Sequence, residues 1–242
     1  MSPTFERGEP IVSVRELSVR YGRRTVVSQV DLSVAAGEIV GLTGANGSGK
    51  STILKALALV APIGSGRYYF HGSQVTTAKD IWRARGRIGY LPQEFESRSG
   101  HTVRDTVVYA AWLRGMRRAA AVTAAGSAIE ELGLVEESRR ALKTLSVGTI
   151  RRVGVACAMV GHPEVLVLDE PDAGVDSCHL EAVLGRITAA SRDCGVVLAT
   201  HSGQTARAVC SRLLVIEQGR VAFGGRPDEV LDRREARGLG RI

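Results

Sequence analysis

The sequence predicts an α/β protein whose chemistry sits on a parallel sheet, with an antiparallel β-subdomain at the N-terminus and an inserted α-helical subdomain. Short, wholly apolar runs, Glu38 to Leu42 (EIVGL), Val165 to Leu168 and Val196 to Ala199, read as buried strands, and helical stretches separate them as βαβ construction requires. Roughly the first forty residues alternate with period two instead. From about Val103 to Leu142 the chain turns Ala- and Leu-rich at helical spacing.

Taken along the chain, Val12 and Val14, Leu17 and Val19, then Val30, Leu32 and Val34 mark half-buried strands of a small antiparallel sheet. EIVGL then runs into Gly44-Ala45-Asn46-Gly47-Ser48-Gly49-Lys50-Ser51, which fits the phosphate-loop pattern G-x4-G-K-[ST], and Ile53, Leu54, Leu57 and Ala58 follow at helical spacing. A strand, a Gly-rich turn and a helix are the context that the motif needs. Gly44, Gly47 and Gly49 permit positive φ and let backbone N–H groups close on phosphate oxygens, where a Cβ would hold the anion away. Lys50 is expected to reach the β- and γ-phosphates, Ser51 to offer its hydroxyl to Mg²⁺, and Thr52 to sit at the positive end of the helix.

Pro62, Gly64 and Gly66 break the helix, and Tyr68 to Phe70 resume a strand. TVRDTVVYAAWLRGM and AAGSAIEELGL read as helices of the inserted subdomain. The later apolar strands end in chemistry, one in Asp169-Glu170-Pro171 and the other in Thr200-His201, at the carboxyl ends where open α/β sheets hold ligands. Leu213 to Ile216 and Arg220 to Phe223 around Gln218-Gly219 read as a hairpin, and Pro227 suits the first turn of a short helix.

The chain has 242 residues, 44% of them hydrophobic, ample for one domain with a subdomain. It has no apolar run of eighteen residues, and its N-terminus (MSPTFERGEP) lacks the form of a signal peptide, so a soluble, cytoplasmic protein is expected. Cys157, Cys178, Cys194 and Cys210 show no C-x-x-C spacing and read as thiols. A net charge of +7 is carried almost wholly by arginine. The clusters Arg83/Arg85/Arg87, Arg117-Arg118, Arg139-Arg140, Arg151-Arg152 and Arg233-Arg234 are scattered and not interleaved with aromatics, so a solvated basic surface is expected and a nucleic-acid partner is not. His71, His101, His162 and His179 show no spacing that suggests a metal or acid-base role.

An apolar strand ending in Asp169-Glu170, preceded by Leu145-Ser146-Val147-Gly148-Thr149 and by the phosphate loop, resembles the nucleotide-binding subunit of bacterial ATP-binding cassette (ABC) transporters. The resemblance spans roughly Ile11 to Gly225, with a helical subdomain at about 94–160 and a C-terminal tail at 226–242. It implies a phosphate-loop NTPase core that binds ATP and Mg²⁺ and hydrolyses ATP. It also implies roles residue by residue. Tyr21 stacks on adenine, and Gln93 in Tyr90-Leu91-Pro92-Gln93-Glu94 touches Mg²⁺ and water and reports nucleotide state. Asp169 holds the metal's hydration shell, Glu170 is the general base, and His201 contacts the γ-phosphate. Ser146 and Gly148 present the N-terminus of a following helix to the γ-phosphate bound by an opposite subunit, and Asp176 faces that subunit. The usual family segment is Leu-Ser-Gly-Gly-Gln; Val147 and Thr149 depart from it and put that second half-site in question.

The resemblance further implies a dimer, homo- or heteromeric, working on separate membrane permease subunits at the cytoplasmic face of the cell membrane. FESRSGHTVRDTVVYAAWLRGM is similar to the helical subdomain of exporter-associated subunits, which sets export as the expected direction. The alternative is a soluble ABC-type ATPase acting on nucleic acid or the ribosome, though such proteins carry two cassettes or a long coiled-coil insertion, and neither fits this length. A GTPase switch would need Asn-Lys-x-Asp, and Asn46 is the only asparagine.

Overall fold

A computed structural model of the chain describes residues 8–95 and 100–236. Residues 1–7, which bear on the expected absence of a leader, and 237–242 of the tail lie outside it. The N-terminal half contains β1 (Val12–Tyr21), β2 (Arg24–Val34), β3 (Ile39–Thr43), α1 (Lys50–Leu57), β4 (Ser65–Phe70), β5 (Ser73–Gln74), α2 (Ala78–Arg85) and β6 (Ile88–Leu91). The helical insertion follows as α3 (Val103–Leu113), α4 (Arg118–Glu131) and α5 (Val147–Met159). The chain closes with β7 (Val165–Asp169), α6 (Ser177–Ser191), β8 (Gly195–Ala199), α7 (Gly203–Val209), β9 (Arg212–Glu217), β10 (Arg220–Gly225) and α8 (Pro227–Ala236).

The antiparallel sheet has the order β2-β1-β4-β5. Its apolar phase slips by one residue between Val14 and Leu17, where the register shifts and Glu16 adopts φ 54°. This bulge, with the Glu16 amide bonded to Asp31 Oδ1 at 2.7 Å, returns Leu17 and Val19 to the face that buries Val12 and Val14. A strict alternation would have turned half the strand outward.

The second sheet has the order β10-β9-β3-β8-β7-β6, parallel except for the β9–β10 hairpin. Along β7 and β8 successive residues enter different cores: Leu166, Leu168, Val196 and Leu198 pack with the helices, and Val165, Val167, Val197 and Ala199 pack toward the antiparallel sheet and α1. A sheet covered on both faces explains why these strands are continuous apolar runs. In the stretch expected as a tail from 226, Val230, Leu231 and Arg234 of α8 are buried.

The helical insertion is joined to the sheet by close packing and by arginine. Arg114 at the end of α3 donates to the carbonyls of Cys157, Ala158 and Val160, capping the end of α5. Arg152 donates to Leu132 O and Gly133 O after α4. The expectation of a solvated basic surface therefore fails for Arg151, Arg152 and Arg234, which are 5%, 4% and 7% exposed. Orphan carbonyls at helix and strand ends require donors, and a guanidinium supplies up to five. Cys157, Cys194 and Cys210 are buried free thiols and Cys178 is an exposed one.

α5 lies so close to β6 that a Cβ on Gly89 would stand 2.1 Å from the Ala158 carbonyl oxygen. Gly89→Ala is therefore expected to destabilise the protein by about 1–3 kcal/mol, measured as a lower denaturant midpoint at unchanged slope. An unchanged midpoint would mean that α5 moves off the strand at no cost.

Candidate functional site

The strand order places four chain exits side by side along one edge. β6, β7, β8 and β3 are neighbours and run parallel, with Leu91 beside Leu168, Asp169 beside Ala199, and Leu42 beside Ala199. From that edge emerge Pro92-Gln93, Asp169-Glu170, Thr200-His201 and the phosphate loop. Residues far apart in sequence thus share one site because parallel strands all release their carboxyl ends on the same side.

The loop after β3 has the backbone that anion binding requires, with φ of 153°, 75° and 109° at Gly44, Gly47 and Gly49. At Gly44 space is as restrictive as torsion, since a Cβ would lie 2.2 Å from Ile216 O. The β9–β10 turn supports the loop from beneath, with Gly219 N donating to Ser48 O at 2.8 Å and Ser28 N to Gly219 O at 2.9 Å. Ala45, Asn46 and Gly47 are exposed at the loop's crest, whereas Ser48, Gly49 and Lys50 are buried. Lys50 Nζ folds back to donate to Gly44 O and Ala45 O at 2.9 and 3.1 Å. Burial lowers the Lys50 pKa, while the carboxylates of Glu170 and Asp169 oppose that shift. Ser51 and Thr52 open α1, both partly buried.

Asp169 ends β7 and is 1% exposed, yet among the described residues neither carboxylate oxygen has a hydrogen-bond partner. Burial raises its pKa. The Ser51 hydroxyl faces it without reaching hydrogen-bond geometry and, with Arg151 and Lys50, pulls the other way. A buried, partnerless carboxylate beside a serine at the start of a phosphate-loop helix fits a hard divalent cation, which takes one or two carboxylates and completes its shell with phosphate and water. Among the described residues no cluster of His, Cys, Asp and Glu could hold a metal without such additions.

Glu170 adopts φ 54°, a strained conformation for a side chain other than glycine. Its amide donates to Ala199 O at 2.9 Å and its carbonyl accepts from Arg151 Nε at 2.6 Å, which together hold that turn. The carboxylate projects to the site, with Oε1 3.1 Å from His201 Nε2. His201 is held by the preceding residue, because Thr200 Oγ1 donates to Asp172 Oδ2 at 2.7 Å and accepts from Ser202 N at 2.9 Å. Asp172 thereby ties the loop after β7 to the His201 strand end.

Gln93 lies next to this group with an exposed side chain, and its carbonyl accepts from Arg151 Nη1 at 3.0 Å. Tyr21 ends β1 and is 47% exposed, a ring presented on a turn. Ser146 and Gly148 form a separate group at the start of α5. Ser146 caps that helix by accepting from Thr149 N at 3.2 Å. A Cβ on Gly148 would stand 2.4 Å from Gly174 O, so glycine is required where α5 meets the loop after β7. Val147 beside it is 74% exposed. Asp176 caps α6 and bonds His179 Nδ1 at 2.8 Å, and His71 pairs with Glu164. Two contributors escaped sequence reasoning: Arg151, and Arg234 of α8, which donates to Thr43 Oγ1 at 3.0 Å immediately before the phosphate loop. Neither belongs to a motif, and nothing short of tertiary contact marks them.

Residues 27–173 match a family model described as ABC transporter. The methionine import ATP-binding protein MetN of Caulobacter vibrioides is 32% identical over 91% of this chain and 68% of its own length. The zinc import ATP-binding protein ZnuC of Halorhodospira halophila is 32% identical over 94% of this chain and 82% of its own. The chain spans 61% to 68% of the methionine-import relatives, which are longer. Among solved structures, cbiO1 from Clostridium perfringens, part of the ABC transporter complex cbiONQ, superposes with a TM-score of 0.79 at 26% identity, covering 95% of this chain and 93% of that one.

The raised Asp169 pKa has a definite sign. Its carboxyl binds a proton more readily folded than unfolded, so the penalty is complete above the folded pKa and fades as pH falls through it toward the unfolded value. At pH 7.5, without nucleotide, Asp169→Asn is expected to raise Tm by about 2–4 °C, the equivalent of about 1 kcal/mol in a chain of this size. The difference should shrink toward pH 4. A lower Tm for the asparagine variant at pH 7.5 would contradict a buried charge without compensation.

Proposed function

The chain belongs to the ABC transporter family, and from that premise we propose that it is the ATP-hydrolysing motor of a transporter, with Glu170 as its general base. The observation that carries this reading is the Glu170 carboxylate at the end of β7, beside buried Asp169 and 3.1 Å from His201, on the edge where the phosphate loop emerges. No helix among the described residues is long and apolar enough to cross a membrane.

ATP would place its phosphates in the Gly44–Ser51 loop, with backbone N–H groups and Lys50 on the β- and γ-phosphate oxygens, and Tyr21 against the adenine. Lys50 already sits at the loop mouth and needs only to exchange two carbonyl acceptors for phosphate oxygens. Mg²⁺ would be held by the Ser51 hydroxyl, by Asp169 through water and by Gln93, and when bound it neutralises charge on the phosphates. Glu170 takes a proton from the attacking water as its oxygen bonds to the γ-phosphorus, and the bond to the ADP oxygen breaks in line. His201 fixes the Glu170 carboxylate and reaches the γ-phosphate.

Ser146 and Gly148 stand with the loop after β7 rather than on the phosphate loop, which fits a site completed by the facing copy or a sister chain. The helix N-terminus capped by Ser146 would then meet the γ-phosphate held across the interface. Separate permease chains and a place at the cytoplasmic face of the membrane are part of this proposal, supported by relatives named as ATP-binding proteins of import systems and by a structural neighbour that is part of an ABC transporter complex. The methionine and zinc relatives carry import in their names and lend no support to the expected export. Residues 96–99 of the segment behind that expectation lie outside the described residues. The burial of Arg151, Arg152 and Arg234 removes part of the basic surface that a nucleic-acid ATPase would use.

Glu170→Gln should keep ATP affinity while lowering turnover by about 10²- to 10⁴-fold, the usual worth of a general base, in a phosphate-release assay with Mg²⁺. Turnover equal to wild type would take the role from Glu170. Lys50→Ala should weaken ATP binding about ten- to a hundredfold through lost charge-assisted hydrogen bonds. Calorimetry showing unchanged affinity would place the phosphates elsewhere.

A further inference from the structure

We propose that Arg151 is a positioning residue that makes the Gln93 loop, the Asp169–Glu170 strand end and helix α5 move as one body. The proposal rests on the ATP site described above and adds to it a residue outside every motif. Arg151 stands one turn and a half into α5, five residues after the Ser146 cap, and is buried. Among the described residues its guanidinium makes hydrogen bonds to carbonyl oxygens only. Nη1 donates to Pro92 O at 2.9 Å and to Gln93 O at 3.0 Å, Nε donates to Glu170 O at 2.6 Å, and Nη2 donates to Asp169 O.

The choice of acceptors sets the function. A bond to a side chain leaves the backbone free to move; a bond to a carbonyl fixes the backbone itself. One planar fork therefore holds the chain leaving β6 and the chain leaving β7 at a set separation, and both at a set distance from the helix that starts at Ser146. Glu170 depends on it for one of two supports, because its φ of 54° is held by the amide bond to Ala199 O on one side and by Arg151 on its carbonyl. The packing around this fork is tight, with a Cβ on Gly154 falling 2.5 Å from Leu91 Cδ1, so α5 cannot slide independently of β6. A displacement of Asp169 or Glu170 on nucleotide binding is thereby passed to Gln93 and to the α5 N-terminus through a single rigid group.

Hydrogen exchange on the full chain, with and without a non-hydrolysable ATP analogue and Mg²⁺, tests this, with Arg151→Met and Arg151→Lys beside wild type. In wild type the analogue should slow exchange in peptides from the phosphate loop, from 88–95 and from 146–155. In Arg151→Met the phosphate-loop response should persist, while the response at 88–95 and 146–155 falls at least about fivefold, the lower end of ordinary coupling between sites. Arg151→Lys, which keeps the charge and the stem but not the fork, should fall between and decides the matter if the methionine variant does not fold. A merely structural role would lower Tm yet leave these nucleotide-dependent differences at wild-type size, and that result in either folded variant overturns the proposal. If wild type shows no response at the phosphate loop, it is the ATP reading itself that fails, and if only 88–95 and 146–155 of wild type are silent, the coupling alone is wrong.

Discussion

A buried carboxylate with no partner is the constraint around which this protein is arranged. Asp169 sits at the end of β7, shut from solvent, and among the described residues neither of its oxygens has a hydrogen-bond partner, although the Ser51 hydroxyl faces it. Such a group costs stability unless a cation arrives, and in the proposed ATP site the loop amides beside it would bring phosphate and cation together. Lys50, itself buried and resting on loop carbonyls, is the complementary half of the same imbalance. Neither charge is neutralised by the other at contact distance. The site is held ready by this incomplete pairing, and a better-paired version would be more stable and bind less.

Holding charges apart demands a rigid frame, and here the frame is made largely from arginine on carbonyl. Arg114, Arg151 and Arg152 each sit where a strand or helix leaves carbonyls without partners, and each joins two elements that are distant in sequence. Carboxylate partners would have been a poorer choice near Asp169, because every added negative charge would push its pKa further up. Carbonyls offer dipoles without net charge. Burial lowers the Arg114 pKa to about 10, still well above neutrality, so its part of the frame stays charged and directional at neutral pH.

The parallel strands, the phosphate loop and the two strand ends were legible in the sequence because their signals are local: apolar runs, glycine spacing, a carboxylate pair closing a strand. The β1 strand was legible too, but its bulge at Glu16 was not, since a one-residue slip leaves the same apolar composition. Arg151 read as surface charge because a basic pair on a helix resembles a solvated face, and only the convergence of residues 92, 93, 169 and 170 on that face reveals otherwise. Arg234 is the extreme case. It meets Thr43 from the far end of the chain, across a sequence separation that no pattern spans.

The divergent LSVGT segment follows the same logic of local compensation. Val147 brings branched bulk to the first turn of α5, and its Cγ1 would stand 3.1 Å from any Cβ at position 174. Position 174 is a glycine with φ 70°, so the bulk is accommodated within this chain and does not displace Ser146 from its cap. Gly148, pressed against Gly174 O, then fixes how α5 enters, leaving Val147 on the outer side. The departure from the usual segment thus alters the outer surface of the helix start, while the cap and the direction of the helix N-terminus are kept. Any effect on a facing subunit must come through what that exposed side chain touches, since the backbone behind it is already determined.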